Sequence, residues 1–331
     1  MKHNIFKLIF GCLVGCGLTA AFTSCENDDI QFDDFEGGTT VYFPYQYPVR
    51  TIVLGDDEYD TTLDKEHKCQ IMATFGGSYN GSNGSVQVAV DESLVTNLTF
   101  ADGTPVKAMP SSYYQLSTTN LAFNGTFNGA TTVQLTDAFF SDPEAVKNTY
   151  VIPLVMTSQS GFDKILTGEL KEGATGARTD ASVWDTAPMD YILYCVKFQN
   201  KYSGYWLTHG TTSTADIEKA TAVQITTRSL NSSVYSVSFQ DGADVYAADL
   251  LLTFDGSENC TISSLTNGVT ATGNGSWGDD SEKKAWGNKD RDGMELNYTI
   301  TVDGKQFSRH EKLVWQRSGV KLEEFSPVYN K

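Results

Sequence analysis

From Glu295 to Val302 apolar and polar side chains alternate without a break, with Leu296, Tyr298, Ile300 and Val302 on one side and Glu295, Asn297, Thr299 and Thr301 on the other. Successive side chains of a strand point to opposite faces, so a period of two predicts a half-buried strand and excludes a helix. Asp303-Gly304 follows at once. That pair favours the left-handed turn of a two-residue hairpin, so the chain is expected to return antiparallel.

Similar runs lie near 205–211, 221–228, 234–240, 248–255, 259–265, 268–276 and 306–317. Together with 294–302 they make eight consecutive strands joined mostly by short turns, which predicts an up-and-down barrel, because closure removes edges that would pair with other chains. The stretch YILYCVKFQNKYSGYWLTHG is taken as its opening, so the barrel is placed at 191–331. Before it, alternating runs between Thr39 and Gly161, such as Val86, Val88 and Val90, are broken by the glycine-rich FGGSYNGSNGS and by FADGTP, and predict a β-sandwich over 39–161. Alternation fails from 162 to 190, which reads as a connector that Trp184 docks against one module. The fold class is all-β.

The first residues carry Lys2 and Lys7 and then an apolar run, Leu8 to Phe22. That run is too short for a bilayer span, which needs about 20 residues, and reads as a leader over 1–24. Its end, Phe22-Thr23-Ser24-Cys25, resembles the lipobox of bacterial lipoproteins in the Ser-Cys form usual in Bacteroidetes-type chains, with Phe where Leu is usual. The resemblance implies lipidation of Cys25. Several acyl chains on one cysteine make attachment effectively permanent, so the membrane is expected to be met through lipid alone. Glu26, Asp28, Asp29, Asp33, Asp34 and Glu36 make 25–38 an acidic tether. They resemble the export signal that places such lipoproteins on the outer face of the outer membrane, and a solvated tether is the plainer account.

Removing a leader with two lysines and no acids takes the formal charge from −17 to −19. A surface this acidic repels phosphate backbones, so nucleic acid is not an expected partner. Cys69, Cys195 and Cys260 remain with no CxxC spacing, and read as small core residues of which at most one pair is bridged.

The motifs around YYQLS at Tyr113, VQLTDAFFSDP at Val133 and YVIPLVMTS at Tyr150 resemble the immunoglobulin-like N-terminal module of Bacteroidetes-type glycan-utilisation lipoproteins, which also precedes some endo-β-N-acetylglucosaminidases. Gly204-Tyr205-Trp206 on the first barrel strand and Arg317 on the last resemble the lipocalin signature, which implies that Arg317 stacks on Trp206 to close the barrel base. Two tryptophans in an ordinary β-core are the alternative.

No catalytic constellation is visible. G-x-S-x-G is missing, the D-G-x-D-x-D-x-E set of the endoglucosaminidases is matched only at its first two residues by DGMEL at 292, and the histidines show no ligand spacing. No enzyme and no cofactor are expected. Asn288, Asp290 and Asp292 imitate the start of a calcium loop, but Thr299 stands where the closing Glu belongs, and a tight polar turn is the simpler reading. The segment Gly273 to Gly293 reads as a long loop in which Trp277 and Trp286, with Asp279, Asp280 and Asn288, could stack and hydrogen-bond a sugar, or fold back as a lid. The expected function is non-catalytic capture of an oligosaccharide or polysaccharide at the cell surface, alongside an outer-membrane transporter complex. A structural or adhesive protein that binds such a transporter or a host protein is the second reading.

Overall fold

The computed structural model describes residues 33–331, so the leader, Cys25 and most of the tether lie outside the described residues. Two sheets form the N-terminal sandwich. One orders Lys164–Ile165, Thr40–Tyr42, Lys68–Gly76, Asn128–Leu135 and Tyr114–Leu116. The other orders Glu323–Glu324, Pro48–Val53, Tyr191–Gln199, Tyr150–Ser160, Ser85–Val90 and Asn120–Ala122. Between them lies a core that includes Phe43, Ile71, Val86, Leu121, Phe139, Ile152, Leu154 and Phe198. Val86 and Val88 are buried as the alternation requires, while Val90 at the strand end is exposed.

The structure moves one strand across the expected boundary. Tyr191–Gln199, taken above as the start of the barrel, pairs parallel with Pro48–Val53 and antiparallel with Tyr150–Ser160 in the middle of the sandwich sheet. Its first six residues are all buried. The reason is that this sheet is covered on both faces: the outer face packs Val49, Val151, Leu193 and Cys195 against Leu94, Leu98, Phe100 and Phe325. A strand buried on both faces reads as an unbroken apolar run. The chain also returns after the barrel, where Glu323–Glu324 pairs with Pro48–Val49 and Val328–Tyr329 with Leu98–Thr99. The barrel is therefore set into the sandwich between its central strand and its C-terminal tail.

The barrel is closed and up-and-down, its strands Gly204–Thr208, Thr221–Ser229, Ser232–Asp241, Asp244–Phe254, Asn259–Ser264, Thr270–Trp286, Lys289–Val302 and Lys305–Arg317 each pairing with the next. The last pairs with the first. Asp303 and Gly304 both take positive φ, 49° and 74°, in the hairpin expected from Asp-Gly. An eight-stranded barrel is just wide enough for side chains to fill. Trp206, Tyr235, Leu250, Phe254, Leu296 and Tyr298 fill this one, around a buried carboxylate: Tyr298 donates to Glu311 at 2.5 Å and Tyr235 at 3.3 Å.

The barrel base differs from the lipocalin-type expectation. Trp206 is fully buried and donates its indole N–H to the Tyr202 carbonyl at 3.2 Å. Gly204, at φ 124°, lies where an added Cβ would sit 2.7 Å from the Arg317 carbonyl, so only glycine fits. Arg317, however, lies over the Tyr205 ring at 4.2 Å and not over Trp206. The register shifts by one residue between the pairs Tyr205↔Arg317 and Trp206↔Trp315, and this bulge carries Arg317 to the face of Tyr205, opposite that of Trp206.

Cys69, Cys195 and Cys260 are free and buried in three separate clusters, so no pair is bridged. Trp184 is half-buried, its indole N–H donating to the Ala177 carbonyl at 3.1 Å. Trp206→Ala is expected to cost about 3 to 5 kcal/mol in urea denaturation, as removal of a buried indole does. Arg317→Ala, which removes an exposed stacking contact, should cost less than about 1 kcal/mol. Equal losses would return Arg317 to the barrel closure.

Candidate binding surface at the domain junction

The long loop expected from Gly273 to Gly293 is a β-hairpin. Thr270–Trp286 and Lys289–Val302 remain paired past the barrel rim with two register shifts, and Gly287 and Asn288, at φ 59° and 56°, form the tip. The expected loop residues part company on it. Trp277 packs on the barrel core, edge-on to Tyr202 at 5.8 Å with the Lys201 ammonium 4.2 Å above its ring. Trp286 packs elsewhere, with Leu207, Ile217, Ala220 and Val314 on the barrel's outer wall. These contacts separate the two indoles, and neither stands free as a stacking platform.

The polar residues of the hairpin separate likewise. Asn288 stays exposed at the tip. Asp290 is tied locally, accepting from the Lys283 ammonium at 3.1 Å and the Lys284 N–H at 3.0 Å. A calcium loop over Asn288, Asp290 and Asp292 is thus replaced by paired strands. Asp292 instead turns inward, 4% exposed, and accepts from the Asp280 N–H at 3.0 Å.

Asp292 meets a residue that no sequence pattern linked to it. Asp56, on the sandwich loop after Pro48–Val53, has a carboxylate oxygen within 4.8 Å of those of Asp280 and Asp292. Gly55 brings that loop in, since an added Cβ there would lie 2.9 Å from the Lys201 Cα. Three carboxylates at this spacing could contribute to holding a hard cation, which takes about six to eight oxygens. Lys65 already answers part of the charge, its ammonium 2.9 Å from Asp56, and that carboxylate lifts the lysine pKa. Asp279 joins the same field without a direct bond to Asp292.

The other side of the same sandwich loop walls a groove of about 490 Å³, bounded by Arg50, Asp57, Tyr59, Asp60 and Thr61 and across from them by Lys321 and Leu322 of the returning tail. Tyr59 is 75% exposed and Leu322 88%. The loop is held in shape by its own acids. Asp60 accepts from the Thr62 N–H at 2.9 Å and hydroxyl at 2.6 Å, which holds its pKa down. Asp57 accepts from the Ser318 hydroxyl at 2.9 Å and so ties the loop to the end of the barrel. Beneath, Arg50 pairs with the buried Asp64, whose other oxygen accepts from the Val53 N–H at 2.9 Å. Asp64's pKa is raised by burial, against the pull of Val53 and Arg50. Sequence reasoning missed this surface, although Tyr59 amid Asp56, Asp57, Glu58 and Asp60 was the available signal.

Burial, with Asp56, Asp279 and Asp280 nearby, pushes Asp292 up to about 6. The folded chain therefore holds a proton that the unfolded chain has lost between about pH 4 and pH 6. Stability from that proton is complete below the ordinary carboxylate range and lost as pH rises through about 6. In chelator, Asp292→Asn should raise the melting temperature at pH 7.5, by an amount equivalent to about 2 kcal/mol, and change little near pH 4. A loss of stability at pH 7.5 would contradict this account.

The comparisons with known proteins follow the same division. Residues 35–163 match a family described as an N-terminal domain, and residues 201–319 match DUF5627, a domain of unknown function. No curated protein matches the chain. A structural-genomics crystal structure of unknown function from Bacteroides ovatus is 32% identical, with a TM-score of 0.81 over 90% of this chain and 100% of the other. A multidomain Bacteroides ovatus protein including DUF1735 is 10% identical, with a TM-score of 0.38 over 83% of this chain and 92% of the other. A candidate carbohydrate-binding protein of the same organism is 14% identical, with a TM-score of 0.25 over 85% of this chain and 82% of the other. Those two scores are too low to support an argument. The first match does support one: this chain belongs to the family of that Bacteroides ovatus protein.

Proposed function

We propose that this protein is a lipid-anchored glycan-binding protein of the outer cell surface, without catalytic activity, whose sugar contact is the groove walled by Tyr59. The observation that carries the reading is an exposed phenol ring on a groove of about 490 Å³ that also offers Arg50, Asp57, Asp60, Thr61 and Lys321. Small-ligand sites occupy roughly 300 to 1,000 Å³. A sugar presents an apolar ring face that stacks on a flat aromatic side chain, and hydroxyls that bond to carboxylates and cationic donors. Since Asp57 and Asp60 are already anchored, little ordering is left for binding to oppose.

A glycan array on the chain from residue 25 identifies the sugar, and titration measures it. Tyr59→Ala should weaken binding by about 1 to 3 kcal/mol, roughly fivefold to 150-fold, with the melting temperature unchanged. Undiminished binding would remove the groove as the site, and an array without signal would remove the glycan reading. For the anchor, Cys25→Ala should shift the protein from membranes to the soluble fraction. Retention after a carbonate wash would contradict lipidation.

A further inference from the structure

The groove and the barrel sit at one end of the sandwich, and the chain enters at the other. The strand Lys68–Gly76 runs from beside the short helix Thr62–Lys65 to the entry end, a length of about 30 Å. At that end Phe35 donates its N–H to the Gly77 carbonyl at 2.9 Å, and the Tyr79 N–H donates to Asp34 at 3.1 Å. The loop around Ser82 bridges Thr126, and the Thr74 hydroxyl donates to the Phe127 carbonyl at 2.9 Å. These bonds gather three large aromatic side chains on one pole: Phe35 is 69% exposed, Tyr79 66% and Phe127 45%. Phe127 stacks on the buried Phe75 at 5.6 Å, so the exposed ring has a rigid backing.

Large exposed apolar side chains collected at one pole mark a contact surface. Cys25 precedes Phe35 by only ten residues. Such a segment reaches at most about 35 Å when fully extended. From these placements we infer that the Phe35, Tyr79 and Phe127 pole rests on the lipid–water interface of the membrane that holds Cys25. This rests on the lipid anchor proposed above. A tether this short keeps the pole near the bilayer at an effective concentration on the order of millimolar, so a weak contact is occupied. Aromatic side chains favour the headgroup level of a bilayer, where ring and polar edge are both satisfied. Asp33, Asp34 and Glu36 beside the rings oppose an anionic surface, so the contact favours a zwitterionic one. The contact would hold the groove and barrel outward, away from the bilayer.

The test uses the full lipidated chain, extracted and reconstituted into phosphatidylcholine vesicles, with a nitroxide on Phe127→Cys, or on Tyr79→Cys should the first variant fold poorly. Val245→Cys, exposed on the barrel, is the control, and the buried native cysteines stay unlabelled. On reconstitution the label at 127 or 79 should gain accessibility to oxygen and lose accessibility to a water-soluble nickel chelate, while the label at 245 keeps its solution values. The change should shrink in vesicles made partly of phosphatidylglycerol. If the chain floats with the vesicles and the pole label behaves like the control, the interface is wrong and the anchor stands. If the chain does not float, the anchor fails and the inference falls with it.

Discussion

Everything in this molecule depends on one strand that is buried on both faces. Tyr191–Gln199 holds the middle of the larger sandwich sheet and leads directly into the barrel. At its end Asn200, 1% exposed, takes up the turn: its amide donates to the Ser229 carbonyl at 2.8 Å and the Ser232 carbonyl at 3.0 Å, and its carbonyl accepts from the Ser203 hydroxyl at 2.7 Å. A buried amide is tolerable only when its donors and acceptor are all answered, and here they are. The node joins the second and third barrel strands to the end of Tyr191–Gln199.

The second crossing turns a tether into a fixture. After Arg317 the chain returns along Pro48–Val49, buries Phe325 in the outer core and pairs again at Leu98–Thr99. Two covalent connections restrict relative rotation far more than one linker does. They also place the loop from Gly55 to Thr61 permanently between sandwich and barrel. Asp56 can thus meet Asp280 and Asp292 on one side, while Tyr59 walls a groove on the other.

Inside the barrel, stability and specificity come from a filled interior. Buried aromatic side chains pack there with Leu250, Leu252 and Leu296, and Glu311 is held among Tyr298, Tyr235 and Arg309. Removing one partner of such a node would leave a buried polar group unpaired, which is costly in a low dielectric. With the interior occupied, the groove lies outside the barrel, at the junction.

The alternation of apolar and polar residues was enough to find nearly every barrel strand, and Asp303-Gly304 its last turn, because period and turn chemistry are local. The same logic misjudged Gly273–Gly293, where glycines and charges on both faces hid a hairpin whose pairing is decided by its partner strand. It also misplaced Tyr191–Gln199: a continuous apolar run says that both faces are buried but not in which sheet. The lipocalin resemblance pairs Arg317 with Trp206, and a single-residue bulge at the barrel seam sets it over Tyr205 instead. Asp56 and Asp292 lie far apart in the chain, and Tyr59 became a wall of a groove only when the tail came back across it. Sequence alone determined an all-β chain of two modules; which strand belongs to which sheet, and which carboxylates and rings face one another, only long-range pairing could decide, because such contacts leave no local pattern.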